Sequence, residues 1–131
     1  MTQILDWIMD FIKTETAYSP VVGAVPPVGG VAIAQSGGTI QTPYFVRTGA
    51  VREVYAINAK GVSQKDTLLC LETIHEKLTK IYDYGHTESW QIATIRTLNA
   101  PNYLGQENNE NYLYGSSIEV LYYDRRKAER G

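Results

Sequence analysis

The stretch SQKDTLLCLETIHEKLTKIY, from Ser63 to Tyr82, decides the fold, because it is the one long and cleanly bounded helix pattern in the chain. Ser63 followed by Asp66 is typical of a helix start, since the hydroxyl accepts from an early backbone N–H and the acid favours the positive end of the helix. Apolar residues at helical spacing predict one buried face: Leu68, Leu71, Ile74, Leu78 and Ile81.

Strand patterns lie on both sides of this helix. VREVYAINAKG (Val51–Gly61) precedes it, and WQIATIRTL (Trp90–Leu98) and YLYGSSIEVLYYD (Tyr112–Asp124) follow. A shorter strand pattern, GVAIAQSGG (Gly30–Gly38), comes earlier, after a helix from Gln3 to about Thr14. The order α-β-β-α-β-β predicts an α+β fold, with a small, mostly antiparallel sheet and both helices packed on it.

The first helix is amphipathic and too short to be stable alone, so we expect it to dock on the rest of the domain. Trp7 and Met9 fall outside its predicted apolar face. That face is formed by residues at i, i+3, i+4, i+7 and i+8 spacing: Ile4, Leu5, Ile8, Phe11 and Ile12.

Breaks in the patterns predict the domain organisation. We expect residues 1–124 to form a single α+β domain, with residues 36–50 as a projecting arm that Pro43 keeps off the sheet interior. The run NAPNYLGQENNEN (Asn99–Asn111) is rich in Pro, Gly and Asn and predicts a true loop between the last two strands. Residues 125–131 predict a disordered basic tail.

The composition excludes several classes. The 131 residues carry a formal net charge of −2, so no global field favours nucleic acid or membrane. Cys70 is the one cysteine and predicts a buried, reduced thiol rather than a disulfide. No run of about 18 apolar residues is present, and MTQILDWIMDF lacks the features of a secretory signal. We therefore expect no membrane partner and folding in a cytoplasm.

Residues that carry chemistry are sparse. His75 and His86 have no partner at metal-ligand spacing, and no GxSxG, GxGxxG or GxxxxGK[ST] pattern is present. Glu107 and Glu110 flank an Asn-rich turn and predict a solvated loop. We expect no catalytic, cofactor-binding or metal-binding residue and no enzyme, although one sequence leaves a Ser–His–acid set open.

Two weaker signals concern interactions. The chain has 10 Tyr against 2 Phe, a bias that suits strands and subunit contacts alike. Five basic residues are weak candidates for contact with nucleic acid phosphates, and Lys60 and Arg96 could add to them: Arg47, Arg52, Arg125, Arg126 and Lys127. For the tail itself, a solvated terminus is the favoured interpretation.

With the elements placed, the chain resembles the minor capsid and tail terminator (tail completion, head–tail joining) proteins of long-tailed phages. The likeness is architectural and covers Thr2 to Asp124. It consists of the amphipathic helix ILDWIMDFI, the strand GVAIAQSGG, the strand–helix unit VYAINAKGVSQKDTLLCLETIHEKLTKIY and the closing pair WQIATIRTLNAPNYLGQENNENYLYGSSIEVLYY.

The resemblance implies a structural virion protein that forms a homo-oligomeric ring, commonly six-fold, at the tail–head junction. Such a ring stops growth of the tail tube, docks on the head connector and lets DNA pass through its lumen without sequence specificity. It implies a location in the virion, and in the host cytoplasm during assembly. The candidate interface residues, on the arm and the predicted loop, are aromatic or apolar: Tyr44, Phe45, Tyr103 and Leu104.

Three other interpretations stay open at the level of sequence. The chain could be a head–tail connector (head completion) protein of similar size and fold. It could be an α+β binding module with no phage role. It could also be a small enzyme built by dimerisation, which would need a pocket with convergent polar groups.

Overall fold

The computed structural model describes residues 2–27, 29–36, 50–81, 90–107 and 110–124. These residues form an α+β fold of two helices and a five-stranded, mostly antiparallel sheet. The elements in chain order are α1 Thr2–Glu15, β1 Val21–Val22, β2 Gly30–Gln35, β3 Ala50–Gly61, α2 Gln64–Thr79, β4 Trp90–Glu107 and β5 Asn111–Asp124.

The strands lie in the order β1-β2-β3-β5-β4. Only the short β1–β2 pair is parallel, and the other neighbours are antiparallel. The predicted order is therefore right in part, because the segment between α1 and β2 contains the strand β1, which was not predicted. A strand of two residues gives no periodic signal, so this omission has a simple cause.

Strand alternation divides the sheet into two faces. On β3 the odd-numbered residues Val51 to Ala59 are buried, and on β5 the even-numbered residues from Tyr114 to Tyr122 are buried opposite them. This helix-facing side joins α1 and α2 in one core. The opposite side, here called the open face, contains the alternate residues, including Arg52 of β3 and Glu119 of β5.

The helix predicted from Ser63 forms as α2, but it ends at Thr79 rather than Tyr82. Ser63 is its N-cap and accepts a hydrogen bond from the backbone N–H of Asp66 at 3.2 Å, as predicted. Cys70 is a buried free thiol, also as predicted. The apolar face of α1 is broader than predicted, because Trp7 and Met9 also pack against the core.

The predicted loop Asn99–Asn111 is wrong. Asn99 to Glu107 continue β4 and pair with β5 as far as Asn111, so β4 is an 18-residue strand at the edge of the sheet. Four register shifts along this pair absorb its extra residues. Pro and Gly are tolerated at such positions, because an edge strand can bulge and does not need every N–H for pairing.

Candidate functional site

The edge strand β4 presents the largest group of exposed apolar side chains that lies on a single described element. Tyr103 and Leu104, two of the four predicted interface residues, are 52% and 59% exposed, and Leu98 is exposed nearby. The other two, Tyr44 and Phe45, lie outside the described residues. Exposed aromatic and aliphatic groups on the edge strand of a sheet are typical of interaction surfaces.

Tyr103 and Leu104 point to opposite sides of the sheet. The Tyr103 ring meets the Tyr114 ring edge-on, with centroids 5.6 Å apart, and Tyr114 belongs to the helix-facing side. Leu104 instead covers Gly115 on the open face, because a Cβ added to Gly115 would lie 2.8 Å from Leu104 Cδ1. These two candidate interface residues therefore belong to different faces of the sheet.

The basic candidates within the described residues are paired with acids. On the open face the carboxylate of Glu119 contacts Arg52 Nε at 3.5 Å and Arg96 Nε at 2.8 Å. The hydrogen bond from Arg96 to Glu119 raises the pKa of that guanidinium further. Lys60 Nζ lies 2.8 Å from Glu107 Oε1. Arg47, Arg125, Arg126 and Lys127 lie outside the described residues.

His75 joins α2 to three strands through a chain of polar contacts that is buried except at Thr97. Its Nδ1 lies 2.8 Å from Thr97 Oγ1 and its Nε2 lies 2.8 Å from Ser116 Oγ. Ser116 Oγ donates its one proton to the Ile57 carbonyl at 2.7 Å, so it accepts from His75 Nε2–H. Burial lowers the pKa of His75.

This arrangement satisfies His75 and holds the packing of α2 on the sheet. The Ser116 hydroxyl is buried and its proton is already donated to a backbone oxygen, which is not the geometry of an activated nucleophile. Both ring nitrogens of His75 therefore have a hydrogen-bond partner. His86 lies outside the described residues.

A buried carboxylate in the core was missed by the sequence analysis. Glu53 is fully buried on the helix-facing side of β3, where Tyr55 Oη donates to its Oε1 at 2.9 Å and Gln35 Nε2 to its Oε2 at 3.2 Å. Burial and the nearby carboxylate raise the pKa of Tyr55. Strand alternation could have predicted this burial, because Glu53 lies two residues from Val51 and four from Ile57, and such residues face the same side of a sheet.

A small pocket of about 210 Å³ opens between the first turns of α2 and the strands β2 and β3. Cys70 lies in it, and burial raises the pKa of this thiol to about 11, so the sulfur is a poor nucleophile at neutral pH. Exposed Val62 and Asp66 also line it, next to Tyr18, Val31 and Ala59. The lining is thus mainly apolar with a carboxylate at its margin. No sequence pattern predicts this pocket, because its walls come from segments far apart in the chain.

Among the described residues, no group of three or more His, Cys, Asp or Glu side chains is arranged to hold a metal ion. Neither described helix is long and apolar enough to cross a membrane. No protein-family model matches the sequence. A search of curated proteins also finds no match.

Proposed function

We propose that this chain is a structural virion assembly protein of a long-tailed phage, a tail terminator or minor capsid component that forms a ring at the tail–head junction. The observation that supports it best is the long edge strand β4 with exposed Leu98, Tyr103 and Leu104. A repeating subunit needs such surfaces, because ring closure depends on contacts between different patches of identical chains.

The proposed partners are further copies of the chain, the tail tube protein and the head connector protein. The ring stops growth of the tail tube and joins the tail to the head. DNA passes through its lumen without sequence-specific contact. The paired state of Arg52, Lys60 and Arg96 suits a lumen that does not hold DNA tightly, since each of these three cations already contacts a carboxylate.

The first test is the mass in solution by light scattering over a concentration series. The proposal expects a species of ring size, about six chains, and ring-shaped particles in negative-stain electron microscopy. If the chain is monomeric on its own, the deciding measurement is the length of tail tubes mixed with the chain. A protein of this class can remain monomeric until it meets the end of a tube. No ring alone, together with no effect on tube length, would refute the proposal.

A further inference from the structure

We infer that the two edges of the sheet pair between neighbouring copies, β4 of one copy with β1 of the next, so that one sheet continues from subunit to subunit. The pairing rests on the proposed ring and is the contact that would close it. Four features of the two edges support it: their position, their lack of charge, the faces of their exposed side chains and the direction of their backbone groups.

The two edge strands lie at opposite ends of the sheet. The described strands lie in the order β1-β2-β3-β5-β4, so β1 forms one edge and β4 the other. A contact between two different edges of identical chains is heterologous, so each added copy offers the same edge to the next and a ring forms when the rotation closes. Pairing of β4 with β4 would instead join two copies and stop there.

Both edges lack the charges that usually protect a sheet edge. No Asp, Glu, Lys or Arg lies between Glu15 and Arg47, a run that includes β1, or between Arg96 and Glu107 in the second half of β4. Natural proteins commonly place charged residues, especially Lys, on edge strands to prevent pairing. On the described residues, five of the eight exposed large apolar side chains belong to these two strands: Val21, Val22, Leu98, Tyr103 and Leu104.

The exposed side chains of the two edges match face by face. In its register with β2, Val22 lies on the helix-facing side and Val21 on the open face. Within one chain β1 and β4 run in opposite directions, so a sheet that continues between copies pairs them antiparallel. This direction allows Tyr103 to lie opposite Val22 on the helix-facing side. The next pair along the strands is then Leu104 with Val21, both on the open face.

The backbone groups of Val22 point away from the sheet. The N–H of Gly23 donates to the Ile33 carbonyl at 3.0 Å, so it points toward β2. The C=O of Val22 belongs to the same planar peptide unit and points the opposite way. In an extended strand the N–H of a residue points to the same side as its C=O. Val22 therefore presents one donor and one acceptor at the outer edge of β1.

The backbone groups of Tyr103 point outward at the other edge. Asn102 Nδ2 donates to the Gly115 carbonyl at 3.1 Å, so this carbonyl of β5 faces β4. Because backbone groups alternate along a strand, those of Tyr114 face β3 instead. Tyr103 lies opposite Tyr114, so its own N–H and C=O face away from β5. Tyr103 and Val22 of the next copy can therefore exchange two backbone hydrogen bonds.

The pairing displaces each copy along the strand direction. Within one chain, four residues form a row across the sheet on its helix-facing side: Tyr103, Tyr114, Ala59 and Val31. Val22 lies beside Ile33, two residues farther along β2 than Val31. Successive sheets would thus be staggered by about two residues, and a closed sheet needs such a stagger because its strands tilt relative to the axis.

Charge substitutions test the pairing of Val22 with Tyr103. Val22→Lys should raise the concentration needed for assembly by about tenfold or more, the effect of losing a central interface residue. Adding Tyr103→Lys should not improve assembly, whereas adding Tyr103→Glu should restore much of it, because unlike charges directly opposite each other attract. Leu69→Lys is the matched control, since Leu69 is 50% exposed but lies on α2. It should change the concentration by less than about threefold.

Disulfide formation tests the register under the conditions in which the wild-type chain assembles. In a Cys70→Ser background, Val22→Cys with Tyr103→Cys should give a ladder of dimers, trimers and larger species on oxidation, because each copy contains both edges. Val21→Cys with Leu104→Cys should do the same. Val21→Cys with Tyr103→Cys should give no ladder, since these two side chains face opposite sides of the sheet.

Three results would overturn the inference. These are assembly that Val22→Lys leaves unchanged, no recovery when Tyr103→Glu is added to Val22→Lys, or links that join only position 103 to position 103, which indicate symmetric pairing of two β4 edges. If wild-type rings form in any of these cases, the proposed function stands and only this contact is removed. A wild-type chain that never assembles, alone or on tail tubes, would remove both.

Discussion

At the residue scale, His75 couples the stability of the fold to pH. Burial lowers its folded-state pKa below the value of about 6.5 in an unfolded chain. The neutral ring is therefore favoured in the fold, and its contribution is fully present above about pH 6.5. It is lost as pH falls from 6.5 toward the folded pKa, because the unfolded chain binds more protons. We expect the urea midpoint to fall between pH 7 and pH 5.

His75→Gln should reduce the change in urea midpoint between pH 7 and pH 5, whatever the substitution does to the stability at pH 7. His86 is the other histidine in the sequence, so His86→Gln serves as the matched control and should keep the wild-type slope. Equal slopes for wild type and His75→Gln would show that His75 is not the titrating group.

Gly61 gives a second prediction at this scale. A Cβ at this position would lie 2.6 Å from Thr67 Oγ1, and Thr67 is buried and donates to the Ser63 carbonyl at 2.7 Å. Because Thr67 cannot move without losing that bond, Gly61→Ala should cost about 1–3 kcal/mol of unfolding free energy. The measurement is chemical denaturation.

Gly115→Ala is the control, because the atoms nearest its added Cβ belong to side chains: Leu104 Cδ1 at 2.8 Å, on an exposed side chain that can move away, and Asn58 Oδ1 at 3.1 Å. Its cost should be about 1 kcal/mol or less. Thr67→Ala should remove most of the penalty of Gly61→Ala, so the two changes should not be additive. Additive effects would mean that Thr67 is not the obstacle.

At the element scale, the sequence predicted the elements whose periodicity is strong. The existence of α2, its cap at Ser63 and the strands β3 and β5 follow from 3.6- and 2-residue periods. The predicted loop failed because Asn, Pro and Gly are turn formers in isolation. In β4 they sit at register shifts, where Asn99 donates to Ser117 Oγ and Asn102 to the Gly115 carbonyl. Tertiary pairing outweighed local preference there.

The interaction surface was predictable only in part, for the same reason. Tyr103 was predicted as an interface residue from its residue type alone. That Tyr103 and Leu104 face opposite sides of the sheet depends on the register of β4 after several bulges. The pocket depends on the distance between α2 and β2, which no local pattern specifies. Glu53 was visible in principle, yet a charged residue at an inward position is normally assigned to the solvent side.

The far end of β4 is tied to the central strand by one ion pair. The Lys60 side chain is only 5% exposed and contacts Glu107, which is 46% exposed. Glu107→Gln would leave a buried ammonium without its counter-charge, so we expect a loss of about 1–3 kcal/mol, below the cost for a fully buried pair. Chemical denaturation measures the loss, and amide hydrogen exchange should rise near Glu107.

Replacing both partners should be far milder than replacing one. Lys60→Met combined with Glu107→Gln should lie within about 1 kcal/mol of wild type, since no charge is then left buried. The exposed pair Lys80–Glu76, at 3.6 Å, gives the control, and Glu76→Gln should change stability by less than about 0.5 kcal/mol. A double variant as unstable as Glu107→Gln would contradict this account.

At the scale of the whole molecule, the charge distribution predicts weak contact with DNA. The net charge is −2, and Arg52 and Arg96 on the open face share the carboxylate of Glu119. Few phosphates can then be neutralised, so counterion release contributes little. We expect fluorescence anisotropy with a duplex to give a dissociation constant no tighter than about 10⁻⁴ M at physiological salt, in the non-specific range. The slope of log K against log salt should be shallower than about −2.

Two variants separate the sources of any binding that does occur. Glu119→Gln removes the carboxylate that Arg52 and Arg96 both contact, so it should strengthen binding and steepen the salt slope by about one phosphate contact. A chain truncated after Asp124 lacks Arg125, Arg126 and Lys127. Its dissociation constant for DNA should equal that of the full chain. Micromolar binding with a steep salt slope in the full chain would contradict the proposed lumen, through which DNA must slide. Its loss on truncation would assign the contact to the basic tail, whereas its persistence would assign it to the domain.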